Sequence, residues 1–110
     1  MYGIIDIGSN TIRLTVYQLG EGILESVFHE KSTAGLAGYV DADGALSQAG
    51  IQRAVESLLR FRSILTNLSI FNVSVFATAS LRNITNTDAA RRQLEEETGF
   101  HITVLSGEQE

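Results

Sequence analysis

Asp6, Gly8, Ser9, Asn10 and Arg13 fall within one short run, Asp6-Ile-Gly-Ser-Asn-Thr-Ile-Arg-Leu14. A strand that stops at glycine, exposes a hydroxyl and an amide, and turns straight back is a compact cradle for an anion. Backbone N–H groups in such a corner form a concave donor nest, and glycine permits close approach and any positive φ the turn needs. Asp6 ends the first strand, where a carboxylate can hold a hydrated cation that neutralises phosphate. Arg13 adds a guanidinium suited to bidentate phosphate contact. The plainer reading is a hairpin turn followed by a solvated arginine on an outward strand face, and spacing alone does not separate the two.

A second stretch, Ala77-Thr-Ala-Ser-Leu-Arg-Asn-Ile-Thr-Asn86, follows an apolar strand directly. Loops after strand carboxyl ends are where α/β folds place ligands. Small residues, hydroxyls and Arg82 suit an anion pocket, although an ordinary polar strand-to-helix connection has the same composition. A third candidate is Glu110, with Glu108 beside it, after the last strand. A carboxylate there can orient or deprotonate a water for attack on phosphorus; it equally suits the acidic start of a helix. His29 and His101 lack metal-ligand spacing and receive no role. Ser9 has no base partner in the sequence, which argues against a serine nucleophile.

The elements that must position these residues follow from hydrophobic periodicity. Residues 2–7 read as a buried strand. In 11–19, Ile12, Leu14 and Val16 face one way, and Thr11, Arg13, Thr15 and Tyr17 the other. Gly20-Glu21-Gly22 is a hairpin turn and 23–31 the returning strand, giving an antiparallel meander. Residues 32–45 read as a loop with room for a short helical turn. Ser47 caps a helix to about Asn67, whose apolar face carries Ile51, Ala54, Val55, Leu58, Phe61, Leu65 and Leu68. Residues 72–78 form a strand. Asn86 or Thr87 caps a second helix ending at Gly99, with Arg91–Glu95 and Arg92–Glu96 as i,i+4 pairs and Ala90 and Leu94 as its contact side. Residues 101–105 make the last strand. The fold class is α/β, in the order β-β-β-α-β-α-β, with a mixed sheet opened by the meander; the last two strands each follow a helix into a parallel arrangement. Ser106-Gly-Glu-Gln109 matches a capping box, so residues 1–110 read as a single truncated domain.

Composition narrows the function classes. The chain has 110 residues, a net charge of −5 and no cysteine. It holds one modest core and neither disulfides nor thiolate metal sites, as expected of a cytoplasmic protein. The acidic balance argues against general binding of nucleic acid or anionic membranes, so a polyanion must be held by a local site. No apolar run approaches a membrane span and no signal-peptide pattern precedes Tyr2.

Three motifs at three strand ends, in this order, cease to be independent. The stretches Ile5-Asp-Ile-Gly-Ser-Asn-Thr-Ile-Arg-Leu14, Ala77-Thr-Ala-Ser-Leu-Arg82 with Asn86, and Thr98-Gly-Phe100 leading to Val104-Leu-Ser-Gly-Glu-Gln-Glu110 together resemble the N-terminal part of the exopolyphosphatase/guanosine pentaphosphate phosphohydrolase family, within the actin-like ATPase superfamily. The resemblance implies a ribonuclease-H-like lobe that faces a similar second lobe across a phosphate-binding cleft. It makes Asp6 the first phosphate-loop aspartate, associated with Mg²⁺, and Gly8, Ser9 and Asn10 the cradle. Arg13 and Arg82 neutralise phosphate oxygens, and Glu110 activates the hydrolytic water. The implied reaction removes terminal phosphate from polyphosphate or guanosine pentaphosphate, largely by positioning and charge neutralisation. The resemblance also leaves room for a homodimer of the full-length protein.

This chain departs from the family pattern in places. The Arg-Leu-Gly segment common after the third strand is replaced by Thr33-Ala-Gly-Leu-Ala-Gly38, Asn83 stands where an acidic residue usually follows the second arginine, and the second, glycine-rich phosphate loop is absent. Weak or no turnover is therefore expected of these residues alone. Two rival readings stand beside the hydrolase: a kinase or ATPase of the same superfamily, against which Gly-Ser-Asn with Arg13 and the Glu110 region count, and a non-enzymatic phosphate-binding module.

Overall fold

A computed structural model describes residues 1–107. Its strands are β1 (Tyr2–Ile7), β2 (Ile12–Gly20), β3 (Ile23–Ser32), β4 (Val73–Ala77) and β5 (Ile102–Val104), and its helices are α1 (Gln48–Asn67), α2 (Ala79–Arg82) and α3 (Thr87–Thr98). The strands form one sheet in the order β3-β2-β1-β4-β5. β1 pairs antiparallel with β2, and β2 with β3, while β4 lies parallel to both β1 and β5. This is the expected mixed sheet with an antiparallel meander. Because β1, β4 and β5 run the same way, their carboxyl ends, and the three motifs that follow them, share one edge.

Alternation along each strand divides the sheet into two faces. Ile5, Ile7, Ile12, Leu14, Val16, Val75, Ala77 and Ile102 are buried on the face that packs against α1 and α3. There Ile51, Ala54, Leu58, Phe61 and Leu65 of α1 meet Ala90 and Leu94 of α3, and all of them are fully or nearly fully buried. On the other face Asp6, Arg13 and Thr103 are exposed, and Thr15, Tyr17 and Phe76 half-buried. No helix among the described residues is long and apolar enough to cross a membrane.

The caps bear out the helix starts in part. Ser47 Oγ accepts the Gly50 N–H at 3.2 Å, and Gly99 ends α3 at φ 78° with its N–H on the Glu95 carbonyl. Asn86 occupies the N-cap position of α3, but its amide is used elsewhere: Oδ1 accepts from Leu46 N at 2.9 Å and Nδ2 donates to Leu46 O at 3.1 Å. That pair ties the 41–46 loop to the start of α3. Leu68, expected on the apolar face of α1, is the C-cap and 46% exposed, because the helix ends one residue earlier and no longer aims it at the sheet. Arg91 pairs with Glu95 at 3.2 Å, whereas Arg92 and Glu96 make no ion pair among the described residues. The expected turn between β3 and α1 is a short 3-10 segment, Leu36–Tyr39.

Candidate functional site

The corner between β1 and β2 spans residues 8–11, and a backbone hydrogen bond from Gly8 N to Thr11 O (3.0 Å) closes it. The need for glycine here is steric. Gly8 is not among the residues with positive φ, but a Cβ on it would lie 2.7 Å from Thr11 O, a backbone atom that cannot swing aside. Of the two freedoms glycine offers, the turn uses the close approach and not a positive φ. With Gly8 N–H committed to the turn, the donors left for an anion are the Ser9, Asn10 and Thr11 amides, which have no backbone partner among the described residues.

Two neighbouring segments hold the corner. Gly35 N donates to Asn10 O and Ala37 N to Ser9 O, both at 2.9 Å. The stretch 33–38, a loop that lacks the arginine common there by resemblance, is a backbone clamp on the corner. From the other side, buried Ser80 donates its hydroxyl to Ile7 O at 2.6 Å, and Thr78 N approaches the same carbonyl at 3.4 Å. The carboxyl ends of β1 and β4 are therefore bonded to each other through the second motif. That motif is also more ordered than a loop: it contains the helical turn α2, whose amides at Leu81 and Arg82 both bond Thr78 O.

A cavity of about 210 Å³ opens where these parts meet, lined by Ser9, Ala37, Val40, Ala79, Ser80 and Asn83. Arg82 is half-buried and turned towards β5, where Nη1 donates to Leu105 O at 3.3 Å. Arg13 is exposed on the outer face of β2, in register with Asp6 of β1, and it lines a different hollow, a groove of about 620 Å³ on the β2–β3 ribbon. Thus Ser9 and the Ala79–Asn83 turn converge, Arg82 bridges β4 to β5, and Arg13 and Asp6 flank the loop on the open face. Glu110 lies outside the described residues, as do Glu108 and Gln109 of the capping box.

The donor set bears on the implied cation. Among the described residues no group of His, Cys, Asp or Glu side chains could by itself enclose a metal. One exposed carboxylate at a strand end, Asp6, beside backbone donors for phosphate suits Mg²⁺, which keeps several waters and binds through one or two carboxylates and substrate oxygens.

The chain is 33% identical over its whole length to the guanosine-5'-triphosphate,3'-diphosphate pyrophosphatase of Pseudoalteromonas translucida, and 31% identical to that of Vibrio atlanticus. It spans 22% of the length of each. Among solved structures, the Aquifex aeolicus PPX-GPPA enzyme superposes with a TM-score of 0.90 at 27% identity, over 99% of this chain and 36% of that one. An exopolyphosphatase from Cytophaga hutchinsonii gives 0.89 at 25% identity, over 97% of this chain and 34% of that one. Residues 15–110 match the model of the Ppx/GppA phosphatase family. With that match across most of its length and these superpositions over nearly all of it, the chain belongs to the Ppx/GppA phosphatase family.

Proposed function

We propose that the protein carrying this sequence hydrolyses phosphoanhydride bonds and releases the terminal phosphate of inorganic polyphosphate or a guanosine polyphosphate. The observation that supports this reading is the corner 8–11. It is closed on itself, clamped by Gly35, Ala37 and Ser80, and left with three uncommitted amides at the shared carboxyl edge of the parallel strands. The names of the relatives, pyrophosphatases and an exopolyphosphatase, point to the same class of bond.

In this reading the Ser9 and Asn10 amides receive the terminal phosphoryl group. Arg13 and Arg82 neutralise its oxygens from the two flanks, and Glu110 orients the attacking water. Asp6 would hold a hydrated Mg²⁺, which when bound supplies positive charge to the phosphate oxygens. Only one wall of a cleft is assigned by these roles, so the 110-residue chain by itself is expected to bind phosphate weakly and to turn over little or nothing.

The test is an assay of the whole protein with polyphosphate, guanosine pentaphosphate and ATP plus candidate acceptors. Orthophosphate release from either of the first two, with Glu110→Gln lowering kcat far more than it raises KM, is the expected result. ATP-dependent phosphorylation of an acceptor without orthophosphate release from polyphosphate would overturn the reading in favour of a kinase.

A further inference from the structure

The outer face of the β2–β3 ribbon carries three cross-strand pairs in register: Arg13 opposite Lys31, Thr15 opposite His29, and Tyr17 opposite Ser26. All six side chains line the groove of about 620 Å³, and each offers at least one hydrogen-bond donor. The groove begins beside the phosphate loop, since Arg13 is also in register with Asp6. From there it runs down the ribbon for about 14 Å, four residues at about 3.4 Å each.

Two features argue against an ordinary solvated strand face. Like charges directly opposite each other on neighbouring strands are destabilising, yet Arg13 and Lys31 face each other in this way. Neither they nor His29 make a side-chain hydrogen bond or ion pair among the described residues, so two directly opposed cations stand uncompensated, where Arg53 and Arg92 are unpaired only singly and Arg60, Arg62, Arg82 and Arg91 are held by partners. The carboxylates nearby do not cancel the strip. Glu30, which also lines the groove, is drawn towards Arg60 of α1 at 3.6 Å, and Asp6 flanks Arg13 only on the β1 side. In a chain of net charge −5 this is a local concentration of donors, not an overall basic surface.

We infer that this strip is a second anion-binding site, which holds internal phosphates of a linear polyphosphate whose terminal phosphate lies at Gly8–Asn10. The inference rests on the proposed function and deepens it by naming the residues that hold the rest of the substrate. Lys31 stands two interstrand spacings from β1, about 10 Å away. A single phosphate held by the loop and Arg13 cannot also touch Lys31 or His29, but a chain of several phosphates can. Affinity should therefore rise with chain length, and the rise should depend on Lys31 and His29.

The test titrates the isotopically labelled 110-residue chain with orthophosphate, tripolyphosphate and long-chain polyphosphate, with polyglutamate as a control, and follows backbone amide shifts and affinity. Orthophosphate should move the amides of residues 8–11. Long-chain polyphosphate should also move Thr15, Tyr17, Ser26, His29 and Lys31, and should bind about tenfold more tightly than tripolyphosphate through the added charge-assisted contacts. Lys31→Ala with His29→Ala should abolish that length dependence and leave the orthophosphate response intact. Lys31→Glu should raise the melting temperature of the free chain by replacing a repulsive pair with an attractive one, and should remove the long-chain gain; a residue needed only for folding would not do both. Equal affinity at all lengths, long-chain binding unchanged in the variants, or polyglutamate binding as tight as polyphosphate would overturn the inference. A response on β2–β3 with none at residues 8–11 would uphold the strip and overturn the assignment of the loop.

Discussion

Replacing Gly8 with alanine is the most direct test of the loop. The added Cβ would sit 2.7 Å from Thr11 O, well inside van der Waals contact. Its neighbour is the carbonyl that accepts the closing hydrogen bond from Gly8 N at 3.0 Å. The clash therefore cannot be relieved without weakening that bond. Overpacking against rigid structure costs about 1–3 kcal/mol and a lost backbone hydrogen bond about 1 kcal/mol, together roughly 2–4 kcal/mol. A domain of this size has only about 5–15 kcal/mol of stability in total. At roughly 4–5 °C per kcal/mol for such a domain, Gly8→Ala should melt about 8–20 °C below wild type. It should also lose the orthophosphate response at Ser9 and Asn10, because relief of the clash splays the corner that aims their amides. Gly20→Ala is the control: no atom lies within 4 Å of its Cβ position, so it should melt within about 2 °C of wild type, as expected of a surface change worth no more than about 0.5 kcal/mol. Thermal unfolding by circular dichroism and amide-shift titration suffice. A Gly8→Ala chain that melts with wild type and still responds to phosphate would refute both the steric argument and the loop's role.

Other contacts give independent expectations. Ser80→Ala removes the buried hydroxyl that bonds Ile7 O at 2.6 Å; it should cost about 1–2 kcal/mol in chemical denaturation and speed hydrogen exchange at the Thr78 amide, which shares that carbonyl, while an unchanged denaturation midpoint would sink the proposed tie between β1 and β4. Asn86→Ala leaves both Leu46 N and Leu46 O without their amide partner, with an expected loss of about 1–3 kcal/mol. Asn86→Asp keeps the acceptor and loses the donor, so it should fall between alanine and wild type; equal stability of all three would mean that the 41–46 loop is held by something else.

Much of this fold was legible because its signals are local. Strict alternation at Ile12, Leu14 and Val16 fixes which face of β2 is buried, and the three-to-four spacing of Ile51 to Leu65 does the same for α1. Ser47 and Gly99 mark helix ends through their own backbone chemistry. The misses are tertiary. Nothing within ten residues of Asn86 shows that its amide will be taken by Leu46, and Leu68 looks apolar and periodic until the helix stops short of it. At the candidate site, the corner and its glycine were visible in sequence, but the reason for the glycine was not: the steric conflict is with Thr11 O, which depends on the closed geometry of the turn. His29, assigned no role for want of metal-ligand spacing, lines the ribbon groove only because the register sets it opposite Thr15.

The segment 33–38 lacks a charged side chain yet still shapes the loop through its backbone. By resemblance the stretch after β3 is a place to look for an arginine, and Thr33-Ala-Gly-Leu-Ala-Gly38 has none. In the structure this stretch contributes two N–H groups, Gly35 to Asn10 O and Ala37 to Ser9 O, and Ala37 walls the small cavity beside Ser9. Backbone donors of this kind place few demands on side-chain identity, so the clamp survives loss of the charge. Bonding the Ser9 and Asn10 carbonyls from outside also leaves the N–H groups of the same two peptide planes, those of Asn10 and Thr11, on the opposite side, since the N–H and C=O of a trans peptide point in opposite directions. Local positive charge is available instead from Arg13 and Lys31, one and two strands from β1. The loop is thus shaped by backbone and flanked by charge from a different element, and substitutions in 33–38 that preserve the backbone path should matter less to orthophosphate binding than loss of Arg13, and less to long-chain polyphosphate binding than loss of Lys31.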